Sequence, residues 1–237
     1  MTILSSLAIV TLAALIHASF QLSISVLTLL SGHAIGAKHS TARVVKLTSS
    51  FVIGAGIMAV LLLAFIALVV QQTFGGDAPQ LVWAVACGLM IGLGVAVWMF
   101  YYRREKGTAL WIPRSVAHYL SDRTKATKVS AESFALGVMS VIAELLFIIA
   151  PLFLSALVIV QLPGTWQLVA IGIYGIVSIL PLVSVWALIS SGHKLSDIQK
   201  WRESNKSFLQ FAAGSGLIIL GLFTYVTKVL TDTLGGF

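Results

Sequence analysis

Long apolar runs alternate with short polar ones along this chain. Six runs, at about residues 3–31, 49–72, 81–102, 133–160, 166–190 and 207–229, each reach the ~20 residues that a helix needs to cross a bilayer. The pattern predicts an all-α membrane protein with six transmembrane helices. The longest polar segment, 103–128, separates two sets of three, which predicts a first three-helix repeat over 1–102, a linker over 103–130 and a second three-helix repeat over 131–237. Within the linker, Pro113 suits a first helical turn, and Val116, Ala117 and Leu120 share a face opposite the basic residues, beside Trp111. This predicts a short helix lying at the membrane interface.

Composition strengthens the membrane reading. Apolar residues make up 58% of the chain and charged residues 10%, with a mean hydropathy of +1.00, far from a soluble domain. Basic residues set the expected orientation. Of the 15 Lys and Arg, three fall in the first loop (Lys38, Arg43, Lys46), seven in the third (Arg103, Arg104, Lys106, Arg114, Arg123, Lys125, Lys128) and four in the fifth (Lys194, Lys200, Arg202, Lys206), and none in QQTFGGDAPQ or QLPGTW. Because cytoplasmic loops collect Lys and Arg, the odd loops are expected inside and both termini outside, as in a multi-pass protein of the cell (inner) membrane. The net charge of +7 is then a topology device that also meets anionic membrane lipids, and nucleic acid is excluded as a partner because no soluble domain carries the charge. The first charge is Lys38, so there is no basic region ahead of the first run, which reads as a retained helix.

The halves can be overlaid. IHASF in the first run matches AELLF in the fourth, with Phe20 on Phe147 and His17 on Glu144 at an offset of 127. GLMIGLG in the third matches GLIILGL in the sixth, with Gly88 on Gly216 at an offset of 128. With three spans per half, the second copy enters from the opposite side. The expectation is an inverted repeat, the architecture of many secondary transporters, whose sites lie near the midplane.

Candidate chemistry is confined to a few intramembrane polar residues. Glu144 is the lone formal charge between Ser133 and Gly192. A carboxylate at the centre of a span costs about 2.5–3.5 kcal/mol on insertion scales, so it marks a pathway or hydrogen-bonds a neighbouring helix. His17 falls at an equivalent depth and is either a ligand or proton relay or a packed neutral imidazole. His17, Gln21 and Thr28 form one expected polar stripe, which lines a cavity or joins helices. Pro151 and Pro181 are expected to interrupt the fourth and fifth helices, and Pro151, on nearly the same face as Glu144, frees the carbonyl of Phe147. Gly88, Gly92, Gly214, Gly216 and Gly221 read as close-packing positions, and Cys87 as a small buried residue. His33, His39, His118 and His193 read as loop histidines, since their spacing matches no zinc pattern.

Six helices in two halves, a linker and the tail WRESNKSFLQFAAGSGLIILGLFTYV (201–226) resemble the lysine-exporter (LysE) superfamily, which includes amino-acid exporters, divalent-metal transporters and the DsbD/CcdA thiol-electron carriers. The tail is similar to the last helix of the DsbD/CcdA branch, but that branch works through a cysteine in each half and this chain has one cysteine in all. HASFQLS (17–23) is similar to the DAFAVS-type motif of manganese exporters, and AELLF (143–147) sits where its repeat falls. The resemblance implies that His17 and Glu144 bind a cation, with imidazole favouring a softer divalent ion.

The expected function is a secondary transporter or exporter of a small cationic solute, a divalent metal or an amino acid. It would work by alternating access around a midplane site of Glu144, His17, Gln21, Thr28 and Pro151, with His17 and Glu144 as the metal ligands. The alternative is a non-transporting subunit that docks a partner protein or a second copy. An enzyme is not expected, because no Ser-His-Asp constellation, HExxH or phosphate loop occurs, although a Glu-His pair is able to serve acid–base chemistry on lipid.

Overall fold

The computed structural model describes residues 2–20, 22–36, 41–100, 114–193 and 195–231. Every regular element among them is helical: α1 (Ile3–Ser19), α2 (Leu22–Gly36), α3 (Thr41–Phe74), α4 (Gln80–Phe100), α5 (Arg114–Ala126), α6 (Ser130–Val160), α7 (Gly164–Ser190), α8 (Leu195–Ser204), α9 (Lys206–Tyr225) and a π-helical turn, Val226–Leu230. Five of these are long and apolar enough to cross a membrane, α9 counted together with its π-helical turn, and α1 with α2 makes a sixth if the bent pair is one span.

That bend corrects the first expected span. The run over 3–31 is not one helix. α1 ends at Ser19, Phe20 is extended with its N–H on the His17 carbonyl at 3.1 Å, and α2 restarts at Leu22 at 44° to α1. Neither proline nor glycine occurs at the break. The expected breaks at proline do not occur: α6 runs through Pro151 and α7 through Pro181. A proline in a membrane helix deletes one backbone hydrogen bond, which close packing by neighbours tolerates, and Pro151 is buried.

α6 lies at the centre. Two thirds of its most apolar stretch is buried, against one third in α3, α4, α7 and α9, and from Ala150 to Val160 only Phe153 is less than fully buried. A helix apolar on all sides has no face to give to water or to a polar partner, so it is the one that others surround. α3 packs along it in parallel: the Ser133 hydroxyl donates to the Leu47 carbonyl at 2.6 Å, and Gly137 lies against the Phe51 carbonyl, as Gly54 does against that of Phe134. A side chain at either glycine would occupy the facing carbonyl oxygen, so both are obligatory at this crossing.

α4 and α9 cross antiparallel, Gly94 against Gly214 and Gly221 against Cys87 and Met90. At one end the Trp98 indole donates to the Phe211 carbonyl at 3.1 Å, while the Gln210 amide reaches the carbonyls of Val97 and Trp98. Cys87 is buried here, as expected of a packing residue. Of the glycines read as close-packing, Gly214, Gly216 and Gly221 are so placed. Gly88 and Gly92 have open space where a side chain would go, because they lie on the exposed face of α4.

The linker does form a helix, α5. Its inward face is Val116, Leu120 and Thr124, an i, i+4, i+8 stripe, and Ala117 is exposed. Pro113 and Trp111 lie outside the described residues.

Candidate functional site

The break between α1 and α2 and the buried acid Glu144 belong to one arrangement. Breaking a helix inside a bilayer strands backbone N–H groups where water cannot reach them, and each must find an acceptor within the protein. Glu144, buried on α6, supplies it. The Leu22 amide donates to one carboxylate oxygen at 3.0 Å and the Ser23 hydroxyl to the other at 2.9 Å. Glu144 is therefore a cap supplied from another helix for the first turn of α2, whose aligned peptide dipoles favour a negative charge at this end. The Ser140 hydroxyl stands 3.2 Å from that of Ser23. Phe20 stacks on Phe147 one turn beyond Glu144, ring centroids 5.7 Å apart, and anchors the bend from its apolar side. Arg202, buried on α8, donates to the Ser25 hydroxyl at 2.8 Å.

His17 is buried in the last turn of α1. Its Nδ1 shares a 3.0 Å hydrogen bond with the Tyr174 hydroxyl of α7, the tautomer deciding which group donates. The expected partnership between His17 and Glu144 is thus not a hydrogen bond. The two instead line one small chamber of about 30 Å³, together with Ser23, Ser178 and an apolar wall that includes Ala18, Ile24 and Pro181. A cavity of this size, polar on one side, has room for about one water molecule or one monatomic ion.

The other expected site residues are placed differently. Gln21 lies outside the described residues. Thr28 is buried, its hydroxyl donates to the Ser25 carbonyl at 2.9 Å, and it does not line the chamber. Pro151 is packed in the core and does not line the chamber, whereas Pro181 does. Among the described residues no three of His, Cys, Asp and Glu gather as a metal cluster, which leaves His17 and Glu144 as a two-residue set with hydroxyl neighbours. His33, His118 and His193 are exposed, but only His193 lies in a loop, since His33 is on α2 and His118 on α5; His39 lies outside the described residues.

Tyr174, Ser178 and Arg202 do not figure in the expected site. Tyr174 has a signal: it is the one tyrosine in the region 133–192, whose one formal charge is Glu144, and a buried phenol needs a partner for its O–H. Arg202 had none, since one arginine in a basic loop reads as topology. Replacing Tyr174 by Phe is expected to lower stability by about 0.6 kcal/mol, the average for a membrane hydrogen bond. In a detergent melt this is a fall of about 2 °C; an unchanged melt would mean that chamber water replaces the phenol.

In comparisons with protein-family models, with curated proteins and with solved structures, nothing matches this chain.

Proposed function

We propose that the chain is a secondary transporter or exporter of a small cationic solute, with Glu144 as the coupling carboxylate and His17 as a second ligand in the same chamber. The observation that carries this reading is that Glu144 holds the start of α2 across a broken span. A cation or proton arriving at the carboxylate competes with the Leu22 amide and the Ser23 hydroxyl, so occupancy of the site and the position of α2 are linked. Such a difference in contacts between two states is what ligand-driven movement requires. Discontinuous helices at a buried site serve this purpose in transporters. A chamber of about 30 Å³ favours a divalent metal ion over an amino acid as cargo. Two side-chain ligands and two hydroxyls bind such an ion weakly enough to let it leave.

We also propose an inverted repeat on which alternating access would run. Exchanging α1/α2 with α6, α3 with α7 and α4 with α9 turns the α3–α6 contact into that of α7 with α1/α2, and the α1–α9 contact into that of α6 with α4; all four are present. The contacts α4–α9, α3–α7 and α1–α6 map onto themselves and are present too. The exchange holds for helix partners rather than for depth along them. The positive loops would place α5 and α8 on the cytoplasmic side, and the likeness to the LysE superfamily fits the same plan.

A second reading has its own observation: both oxygens of Glu144 already have donors, as a purely structural cap would. On that reading the chain is a non-transporting subunit. Flux of divalent metals into proteoliposomes under an imposed proton gradient separates the two. Glu144→Gln keeps an acceptor for Leu22 but loses the charge, and flux is expected to fall to background while the protein stays folded. Unchanged flux would sink the coupling role, and no flux from the native chain would favour the docking subunit.

A further inference from the structure

A larger cleft lies on the other side of the chamber wall, between α1, α7, α8 and α9. It has a volume of about 720 Å³, within the range of small-molecule sites, and shares Ala18, Ile24 and Pro181 with the Glu144 chamber. Its shape follows from the packing. α7 and α9 scarcely touch, so a slot remains between them with α1 as its back wall and α8 closing one end. Leu180, Val185 and Leu188 descend one side of α7, facing Leu15 and Leu209, and the rim residues Leu180, Leu188 and Trp201 are exposed. A lateral slot rimmed by exposed apolar side chains in a spanning bundle opens to lipid, not to water.

The charged groups gather at one end. His193, Asp197 and Arg202 line the cleft where α7 gives way to α8, and Arg202 is only 3% exposed, held by Ser25. A buried guanidinium at the mouth opposes a cationic solute and suits a phosphate, which it binds with parallel N–H donors. Asp197, exposed on the wall of the same cleft, complements an ammonium group. Apolar length, a guanidinium and an acid on one cleft together describe one ligand chemistry. We propose that this cleft is a binding site for a membrane glycerophospholipid with a zwitterionic headgroup. One acyl chain would lie along α1 and α7, the phosphate at Arg202 and the amine at Asp197. The site is separate from the cation chamber and does not depend on transport, although its occupant would rest against the shared Ala18–Ile24–Pro181 wall.

The test is native mass spectrometry of the full chain released from detergent after titration with phosphatidylethanolamine, phosphatidylglycerol or diacylglycerol. One phosphatidylethanolamine per chain is expected to be retained, about tenfold more tightly than diacylglycerol, the scale of one charge-assisted contact. Arg202→Gln should lose about that factor, and Leu188→Trp, which fills the slot from an exposed position and leaves Arg202 in place, should lose retention with an unchanged melt. Equal retention of all three lipids, or retention that neither variant alters, overturns the site. So does competition by inorganic phosphate alone, which would mark a free-anion site, and so does a dimer that Leu188→Trp dissolves, which would make the cleft an interface between copies. Tighter retention of phosphatidylglycerol than of phosphatidylethanolamine overturns the role given to Asp197.

Discussion

Glu144→Ala is expected to destabilise the protein by roughly 2–4 kcal/mol, because two buried donors lose their acceptor at once and each unsatisfied group costs about 1–3 kcal/mol, partly relieved by water entering the enlarged chamber. The Leu22 amide has no alternative: it is a first-turn donor of α2 with no preceding helical carbonyl to reach across the break. The Ser23 hydroxyl is better off, since Ser140 stands beside it. The loss should therefore be expressed mainly at the start of α2, as faster amide exchange around residues 22–25 that leaves α6 protected. Glu144→Gln separates charge from capping. Its amide oxygen still accepts from Leu22, and the cost should fall to about 1 kcal/mol, the difference between a charged and a neutral hydrogen bond. Equilibrium unfolding of both variants in mixed micelles reads the two numbers. A Glu144→Ala loss below about 0.5 kcal/mol would mean that the break is held by something other than the carboxylate.

The second large effect is expected at Gly137. A valine there would place its first carbon on the Phe51 carbonyl oxygen and near the Ala55 nitrogen, both backbone atoms that cannot rotate away. The α3–α6 crossing must then open. Overpacking in a well-filled core costs about 1–3 kcal/mol and more when nothing flexible can yield, so Gly137→Val belongs at or above the upper end, a fall of about 6–12 °C in a chain of this size. Gly54→Val meets the Phe134 carbonyl in the same way and should be similar. The two should be strongly non-additive, because either alone separates the helices. Gly88→Ala and Gly92→Ala are the matched controls. Their sites are open, so the change should be neutral or stabilising by up to about 1 kcal/mol of helix propensity. A melt in which all four variants behave alike would refute the crossing.

The two cases show what was legible without coordinates. Gly54 carries no local sign of its close approach and Gly88 carries the sign without the approach, because a glycine spaced four from another looks the same whether its missing side chain faces a helix or open space. Helix rotation decides, and nothing local in an apolar run records it. Pro151 and Pro181 misled in the opposite sense. Proline is the strongest local sign of a broken helix, yet both helices run on, while the break falls at Phe20 where the local sequence carries no such sign.

The sequence by itself determined the solvent and the cast. Charge-free runs of about 20 residues have no stable place other than a bilayer or a buried core. Burial of a single carboxylate in such a run demands a partner, which is why Glu144 stands out with no structure at all. The tertiary structure decided which partner. That Glu144 meets the start of α2, that His17 turns to Tyr174, and that Arg202 is held by Ser25 depend on contacts between residues 122, 157 and 177 positions apart. Hydrophobicity sets whether a residue enters the membrane but has no direction within it, so these pairings follow from helix rotation and close packing, which only the assembled bundle specifies.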